Sequence, residues 1–473
     1  MNDDKGSEIY IEDLDVQQRV APPATIEEKH IVRRIDIRLL PILGLLYTIS
    51  LIDRGNIAVA RIAGLDADTG IAEGNRYSIV LLVYYIGYVI FEIPSNIVIR
   101  EVGARNWLAA IGAAWGLIML GMGFVHSWQS LAVLRAFLGV LEAGLFPGCI
   151  YLISSWYTRY EVQRRLGLFY ITAIGLNAFG NILAYGLIQI SRHTRYKGWR
   201  WIFIIEGCLT VAIAVLTWFV LVDFPHSANN SFLSDDQKRL IHARLAQDRG
   251  SEEGEKVTWK AVGRSLRDWK VWSFAFIYMG GAVGLSSLLF FIPLILSDGL
   301  KFGVEGAYLL SAPPQVLAAI VGYATSWLAD RVRRRGPFVI IGSIVAIVGL
   351  CMTGFLDSSA SRYVGVFLGY SGATVCIISS ITWQQNNIRG DVKRAVGSGL
   401  QIMVGGVGGV YASLVFRSQD APNYIPGLVA TIAVFALGVF LAIITSFILW
   451  QENKKADQGG IDCEGLEGFR YTL

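Results

Sequence analysis

Apolar residues gather along this chain in runs too long for the strands or amphipathic helices of a water-soluble domain. Six such runs fall near 38–59, 78–99, 106–125, 130–153, 166–190 and 200–222, and six more near 271–297, 305–329, 337–356, 362–384, 396–417 and 427–450. Each holds about the 20 residues that an α-helix, rising ~1.5 Å per residue, needs to cross a bilayer. Between the two sets lies a polar stretch rich in Lys and Arg, in which Ser-Asp-Asp-Gln at 234–237 has the form of a capping box opening a surface helix. The pattern predicts an all-α membrane protein with twelve transmembrane helices in two six-helix bundles. Its expected divisions are a disordered cytosolic N-terminal tail at 1–36, an N-terminal bundle at 37–222, a cytosolic central loop with a short surface helix at 223–270, a C-terminal bundle at 271–450 and a cytosolic tail at 451–473.

Composition supports the membrane reading: of 473 residues, 53% are hydrophobic and 16% charged, with a mean hydropathy of +0.49. The net charge of +4 is spread over loops, so no nucleic-acid partner is expected, and the basic residues bear on topology instead. With a cytosolic N-terminus, the loops after the second, fourth, eighth and tenth spans carry Arg100 and Arg105; Arg159, Arg164 and Arg165; Arg331, Arg333, Arg334 and Arg335; and Arg389, Lys393 and Arg394. The loop after the fifth span dissents, placing Arg192, Arg195, Lys197 and Arg200 outside. The sequon Asn229-Asn230-Ser231 then falls in the cytosol, unused. The five cysteines show neither paired nor metal-type spacing, and no phosphate-binding loop or H-E-x-x-H motif occurs. No enzyme activity, cofactor or metal is expected.

Charges inside the apolar runs stand out, because each costs on the order of 2.5–3.5 kcal/mol at the centre of a bilayer. The run at 131–148 carries Arg135 and Glu142, seven positions apart. Two helical turns put them on one face about 10 Å apart, lining a surface without pairing. Gly139, Gly144 and Gly148 leave that face thin enough for close approach. In the first span Asp53 and Arg54 come about 20 Å in from the cytosolic end, level with Arg135 counted from the other side. The four are expected to form one polar cluster along a central cavity, with Asp53 and Glu142 loading and releasing protons and Arg54 and Arg135 attracting an anion. Plainer readings stay open: an ion pair locking two helices for Arg135 and Glu142, and a helix end at the outer interface for Asp53 and Arg54. Tyr47, Asn177, Asn181, Tyr278 and Gln401 are further candidates to meet substrate, and Glu92, just before Pro94, to anchor a gate. Gly405, Gly406, Gly408 and Gly409 predict a flexible or closely packed eleventh helix, and Pro313-Pro314 a kink in the eighth.

The loop Ser-Trp-Leu-Ala-Asp-Arg-Val-Arg-Arg-Arg at 326–335 resembles the G-x-x-x-D-R-x-G-R-R loop of the major facilitator superfamily at Asp330, Arg331, Arg334 and Arg335. That resemblance implies a gating role for Asp330 and Arg331. The first-half copy at 96–105 departs from it, with Arg100 where the acid is expected. Six stretches in register resemble the anion:cation symporter family, in its fungal allantoate-permease branch. They are the run at 131–148, Leu-Ile-Asp-Arg-Gly-Asn-Ile-Ala-Val-Ala at 51–60, Tyr-Ile-Gly-Tyr-Val-Ile-Phe-Glu-Ile-Pro-Ser-Asn at 85–96, Gly-Trp-Arg-Trp-Ile-Phe-Ile-Ile-Glu-Gly at 198–207, Leu-Leu-Ser-Ala-Pro-Pro at 309–314 and Asn-Asn-Ile-Arg-Gly-Asp-Val-Lys-Arg-Ala at 386–395.

The resemblance implies the major facilitator fold and import of a small organic anion, such as allantoate, nicotinate or a related vitamin, with protons and by alternating access. It assigns Asp53 and Glu142 to proton coupling and Arg54 and Arg135 to the anion. Gly406 departs from the asparagine usual in that branch. The expected partners are a small anionic substrate, protons and the lipid bilayer, for a monomer in the plasma membrane with both termini cytosolic. An exporter of an organic-acid metabolite is the alternative, although residues 171–187 lack the proline of the exporters' fifth span. A non-transporting nutrient sensor is a third reading, for which the tails are short.

Overall fold

A computed structural model of the chain describes residues 26–190, 196–225, 227, 232–249, 259–299, 303–420, 423–459, 463–465 and 469–473. Among these residues there are helices and no strands. The first half holds α1 (Ile26–Ala60), α2 (Arg76–Val102), α3 (Ala104–Met122), α4 (Trp128–Glu142), α5 (Leu145–Trp156), α6 (Arg159–Asn177), α7 (Gly180–Gln189) and α8 (Gly198–Val220). After α9 (Asp235–Arg249) and α10 (Trp259–Leu266) come α11 (Trp269–Leu294), α12 (Gly303–Val332), α13 (Gly336–Phe355), α14 (Ser359–Asn387), α15 (Asp391–Val415) and α16 (Ile425–Asp457).

Among the described residues eleven spans are long and apolar enough to cross a membrane; α4 with α5, and α6 with α7, each make one of them. The twelfth expected span is α3, whose hydropathy is diluted by Arg105, Asn106 and its tryptophans and glycines. Helices pack mostly within their own half: α3 on α8 and α2 on α4 in the first, α13 on α14 and α11 on α15 in the second. The halves meet along α2 with α15, α6 and α7 with α12, and α1 with α11.

Missing side chains make three of these contacts possible. A Cβ on Gly139 would run into the backbone carbonyl of Tyr84, which sets the approach of α4 to α2. On α15, Gly405 and Gly408 give room to Tyr278 and Val283 of α11, while Gly406 and Gly409 give room to Val89 and Tyr85 of α2. The eleventh span is therefore shaved on two sides, one toward its own half and one toward the other. α12 stays helical through Pro313 and Pro314. Pro314 has no N–H for the carbonyl of Leu310, and the Tyr363 hydroxyl donates to that carbonyl at 2.8 Å.

Two tail expectations change. The segment expected to be disordered to residue 36 is helical from Ile26, because Ile31, Val32 and Ile35 form an apolar face buried against the bundle. At the other end α16 continues to Asp457, and residues 469–473 dock on the second half. Asn387 exchanges two hydrogen bonds with the backbone of Thr472, at 2.7 and 2.9 Å, and Asn453 does the same with Tyr471. Lys270 and Lys393 bridge Glu464 and Asp268 beneath the tail. The capping box forms reciprocally, Gln237 N donating to Ser234 Oγ and Ser234 N to Gln237 Oε1. The sequon lies outside the described residues. Of the dissenting basic loop, Lys197 pairs with Asp68 and Arg200 donates to the carbonyl of Gly123, so both have structural work.

Candidate functional site

A cavity of about 140 Å³ opens where the halves meet. Its first-half wall carries Tyr47, Arg54, Tyr85, Tyr88, Tyr170 and Asn177; the second contributes Tyr278, Ser286, Gln315, Tyr370, Thr374 and the glycines of α15. Arg54 is its charged group. Its Nε donates to Glu142 Oε2 at 3.1 Å, and its guanidinium lies over the ring of Tyr88 at 4.9 Å and near that of Tyr84 at 5.9 Å. Glu142 is fully buried and also accepts a hydrogen bond from the Tyr84 hydroxyl. Arg54 Nη2 and Glu142 Oε1 have no hydrogen-bond partner. The pair is therefore held on one side and open on the other.

The expected four-charge cluster does not form as a unit. Adjacent helical positions point about 100° apart, from ~3.6 residues per turn, so Asp53 turns away from Arg54, into the bundle. There its carboxylate accepts from Trp115 Nε1 at 3.1 Å, Thr210 Oγ1 at 3.3 Å and Asn56 Nδ2 at 3.5 Å. Arg135 stays on the face it shares with Glu142 but behind the cavity wall, 1% exposed, with Nε and Nη2 unpartnered. As their spacing requires, Arg135 and Glu142 do not pair. The helix-end reading for Asp53 and Arg54 is excluded, since α1 runs on to Ala60.

The remaining candidates divide. Tyr47, Tyr278 and Asn177 line the cavity, Asn177 donating to Gln315 at 2.9 Å. Asn181 sits one turn further along and donates to the Ser311 hydroxyl, and Gln401 is buried with its amide toward the carbonyl of Phe274; neither lines the cavity, because their helices turn them onto neighbouring helices. Glu92 is buried with both oxygens unpartnered. Arg331 is exposed and lies over the ring of Trp327, while the Asp330 side chain lies outside the described residues.

Sequence reasoning missed two features. Glu206 is fully buried, with Oε2 accepting from Asn56 and Oε1 unpartnered. An acid in the middle of the apolar run at 200–222 was signal enough. The other is Asp223, which accepts from the backbone N of Ala104 at 2.9 Å. It brings a carboxylate to the N-terminus of α3, beside the loop whose sequence copy lacks its acid.

Hydrogen bonds between the halves, among the described residues, run from the level of the cavity to the end away from the termini: Asn177 to Gln315, Asn181 to Ser311, Tyr85 with Ser286, Tyr77 to the carbonyl of Phe290, Ser78 to that of Phe416, and Tyr308 to that of Val59. A polar chamber between two helical bundles, bridged on one side by these bonds, has the layout of a membrane transport protein. Residues 43–413 match the Major Facilitator Superfamily, and the chain belongs to that family. It is 32% identical over 443 residues to the major facilitator-type transporter hxnP of Emericella nidulans, covering 92% of this chain and 88% of that one. It is 27% identical over 436 residues to the high-affinity nicotinic acid transporter of Saccharomyces cerevisiae, covering 92% and 80%. Among solved structures, a bacterial homologue of the human lysosomal transporter Spinster, inward-facing and occupied, superposes with a TM-score of 0.66 at 16% identity, covering 87% of this chain and 97% of that one. The shared fold is the major facilitator fold.

Proposed function

We propose that this transporter imports a small carboxylate together with protons, as a member of the allantoate-permease branch. The observation that carries the reading is the half-open pair of Arg54 and Glu142 on the cavity. With Glu142 ionised, its charge and that of Arg54 satisfy one another. With Glu142 protonated, the guanidinium is left to an incoming carboxylate, which it can meet with two parallel N–H bonds. Proton and anion thus favour each other's binding, and the linkage is reciprocal. Arg135 supplies a second positive charge behind the site, and Asp53 a second proton acceptor deeper in the same bundle. The Saccharomyces relative, by its name, carries nicotinate, which makes nicotinate the first substrate to test.

Among the described residues, the bonds between the halves lie at and beyond the cavity on one side, which supports alternating access: they break as the opposite ends close, with the two-sided glycine face of α15 as the sliding surface. With the termini in the cytosol, as the basic loops indicate, this state faces inward. The site is complete within one chain, consistent with a monomer, and a plasma-membrane location fits import.

Uptake of labelled nicotinate and a panel of other carboxylates, with and without a protonophore, tests the proposal. Gradient-driven accumulation abolished by the protonophore is the expected result; efflux driven by the gradient would instead establish an exporter. Glu142→Gln is expected to keep exchange of substrate across the membrane but to lose accumulation. Wild-type accumulation by that variant would make Glu142 structural and sink the coupling scheme.

A further inference from the structure

The cavity chemistry leaves Glu206 without a role. It lies in the middle of α8, fully buried, where α8 packs on α1 and α3. Asn56 stands between it and Asp53, and the Asn56 Nδ2 donates to both: to Asp53 Oδ1 at 3.5 Å and to Glu206 Oε2. The other partners of the two acids are neutral, namely Trp115 and Thr210 on Asp53, while Glu206 Oε1 has none. The charged and titratable groups that face them are few. Asp53 feels Glu142 and Arg135 from α4, Glu206 feels Asp53, and the Tyr308 hydroxyl of α12 faces Glu206 while donating to the carbonyl of Val59. The Arg54 guanidinium is engaged with Glu142.

Two ionised carboxylates joined by one neutral amide and bonded to no cation would be uncompensated charge in a dry core. A Gln at 206 would satisfy Asn56 equally and carry no such cost, so an acid here needs a reason. We propose that Asp53, Asn56 and Glu206 form one proton-holding unit, two carboxyl groups carrying one proton between them, and that Glu206 is a positioning residue for proton coupling that never touches the cavity. The amide has one N–H for each acid, so the ionised member keeps a donor whichever it is. Asp53 and Arg54 are neighbours on α1, one facing this unit and one facing the cavity, so the charge of the unit acts on the helix that presents the Arg54 guanidinium to the substrate.

In its effect on transport, this inference rests on the proton-coupled reading; in its spectroscopic signature it does not. The full-length chain in liposomes, free of substrate, is expected to show in pH-difference infrared spectra a carbonyl band of a buried carboxylic acid that shifts in both Asp53→Asn and Glu206→Gln. Absence of the band from the wild type, or a band that E206Q leaves in place, overturns the unit. In transport, E206Q is expected to keep nicotinate exchange while accumulation under a proton gradient falls about tenfold, within the ~5–150-fold range of coupling between sites. Glu206→Asp is expected to restore part of the loss with a displaced pH profile; wild-type accumulation and pH profile in E206Q refute the role. Should E206Q fail to fold, Asn56→Leu cuts the link while keeping both acids, and an unmoved band and pH profile in it overturn the proposal. A chain that moves no carboxylate but whose band responds to E206Q removes the import reading and leaves the unit standing. A proton-driven chain whose band ignores E206Q does the reverse.

Discussion

The two halves of this transporter share an architecture and divide their chemistry. In the first, Asp53, Arg54, Glu92, Arg135, Glu142 and Glu206 all lie within membrane spans. In the second, the span interiors offer amides, hydroxyls and glycines to the same cavity: Gln315, Ser286, Thr374, Gly405 and Gly406. Its buried Lys270, Arg335 and Arg362 sit at helix ends. Duplicated architecture therefore does not imply duplicated work. Charge is expensive in a bilayer, and confining it to one half leaves the proposed sliding surface between the halves free of ion pairs that would have to be dragged apart.

The largest expected break in that contrast is Arg54→Gln. Removing one partner of a buried charge pair costs about 2–5 kcal/mol, so carboxylate uptake should fall by roughly a hundredfold or more, measured as initial rate. Gln315→Ala on the facing wall removes neutral hydrogen bonds worth about 1 kcal/mol, and a loss below ~tenfold is expected. Equal losses would end the division of labour. Next comes the sliding surface: Gly409→Val would press into the Tyr85 ring, a clash worth about 1–3 kcal/mol, visible as a lowered melting temperature and slowed uptake. Asn387→Ala removes both bonds to Thr472, about 1–2 kcal/mol in all, and should expose the tail to protease while uptake stays near wild type.

The smallest effect concerns pH. Burial alone would raise the Asp268 and Glu464 carboxyls, but hydrogen bonds from Lys393 and Lys270 and the charges of both lysines hold each below its ordinary value. A depressed carboxylate contributes stability that is present above its unfolded value and lost as pH falls through the folded one. The protection factors of residues 469–473 in hydrogen exchange, corrected for the intrinsic pH dependence of amide exchange, should therefore hold above pH 4.5, the ordinary value for Glu464, and fall only below it. Protection already falling at neutral pH would show that the tail is held by something else.

Much of the fold was legible because twenty apolar residues in a row have few outcomes in a bilayer. The twelve spans, the capping box at Ser234 and the non-pairing of Arg135 with Glu142 all follow from period and length. The site was legible in its membership more than in its arrangement. Depth along a helix is a count of residues, which put Arg54 level with Arg135 and in the same cluster as Glu142; it is Glu142, two turns along from Arg135, that Arg54 meets. Rotation about the helix axis is set by neighbours, so Asp53, at nearly the same depth, faces Trp115 and Asn56 instead.

By itself, the sequence determined that the chain spans a membrane as helices, roughly where their apolar middles lie, and that ionisable groups lie at their centres in one half. Tertiary structure alone decided which of those groups share a surface, that Glu206 joins Asp53 through Asn56, and which end of the chamber is closed. The reason is that burial of backbone polar groups in lipid is satisfied locally, within each helix. The azimuth of a side chain is settled only by the helices that pack around it.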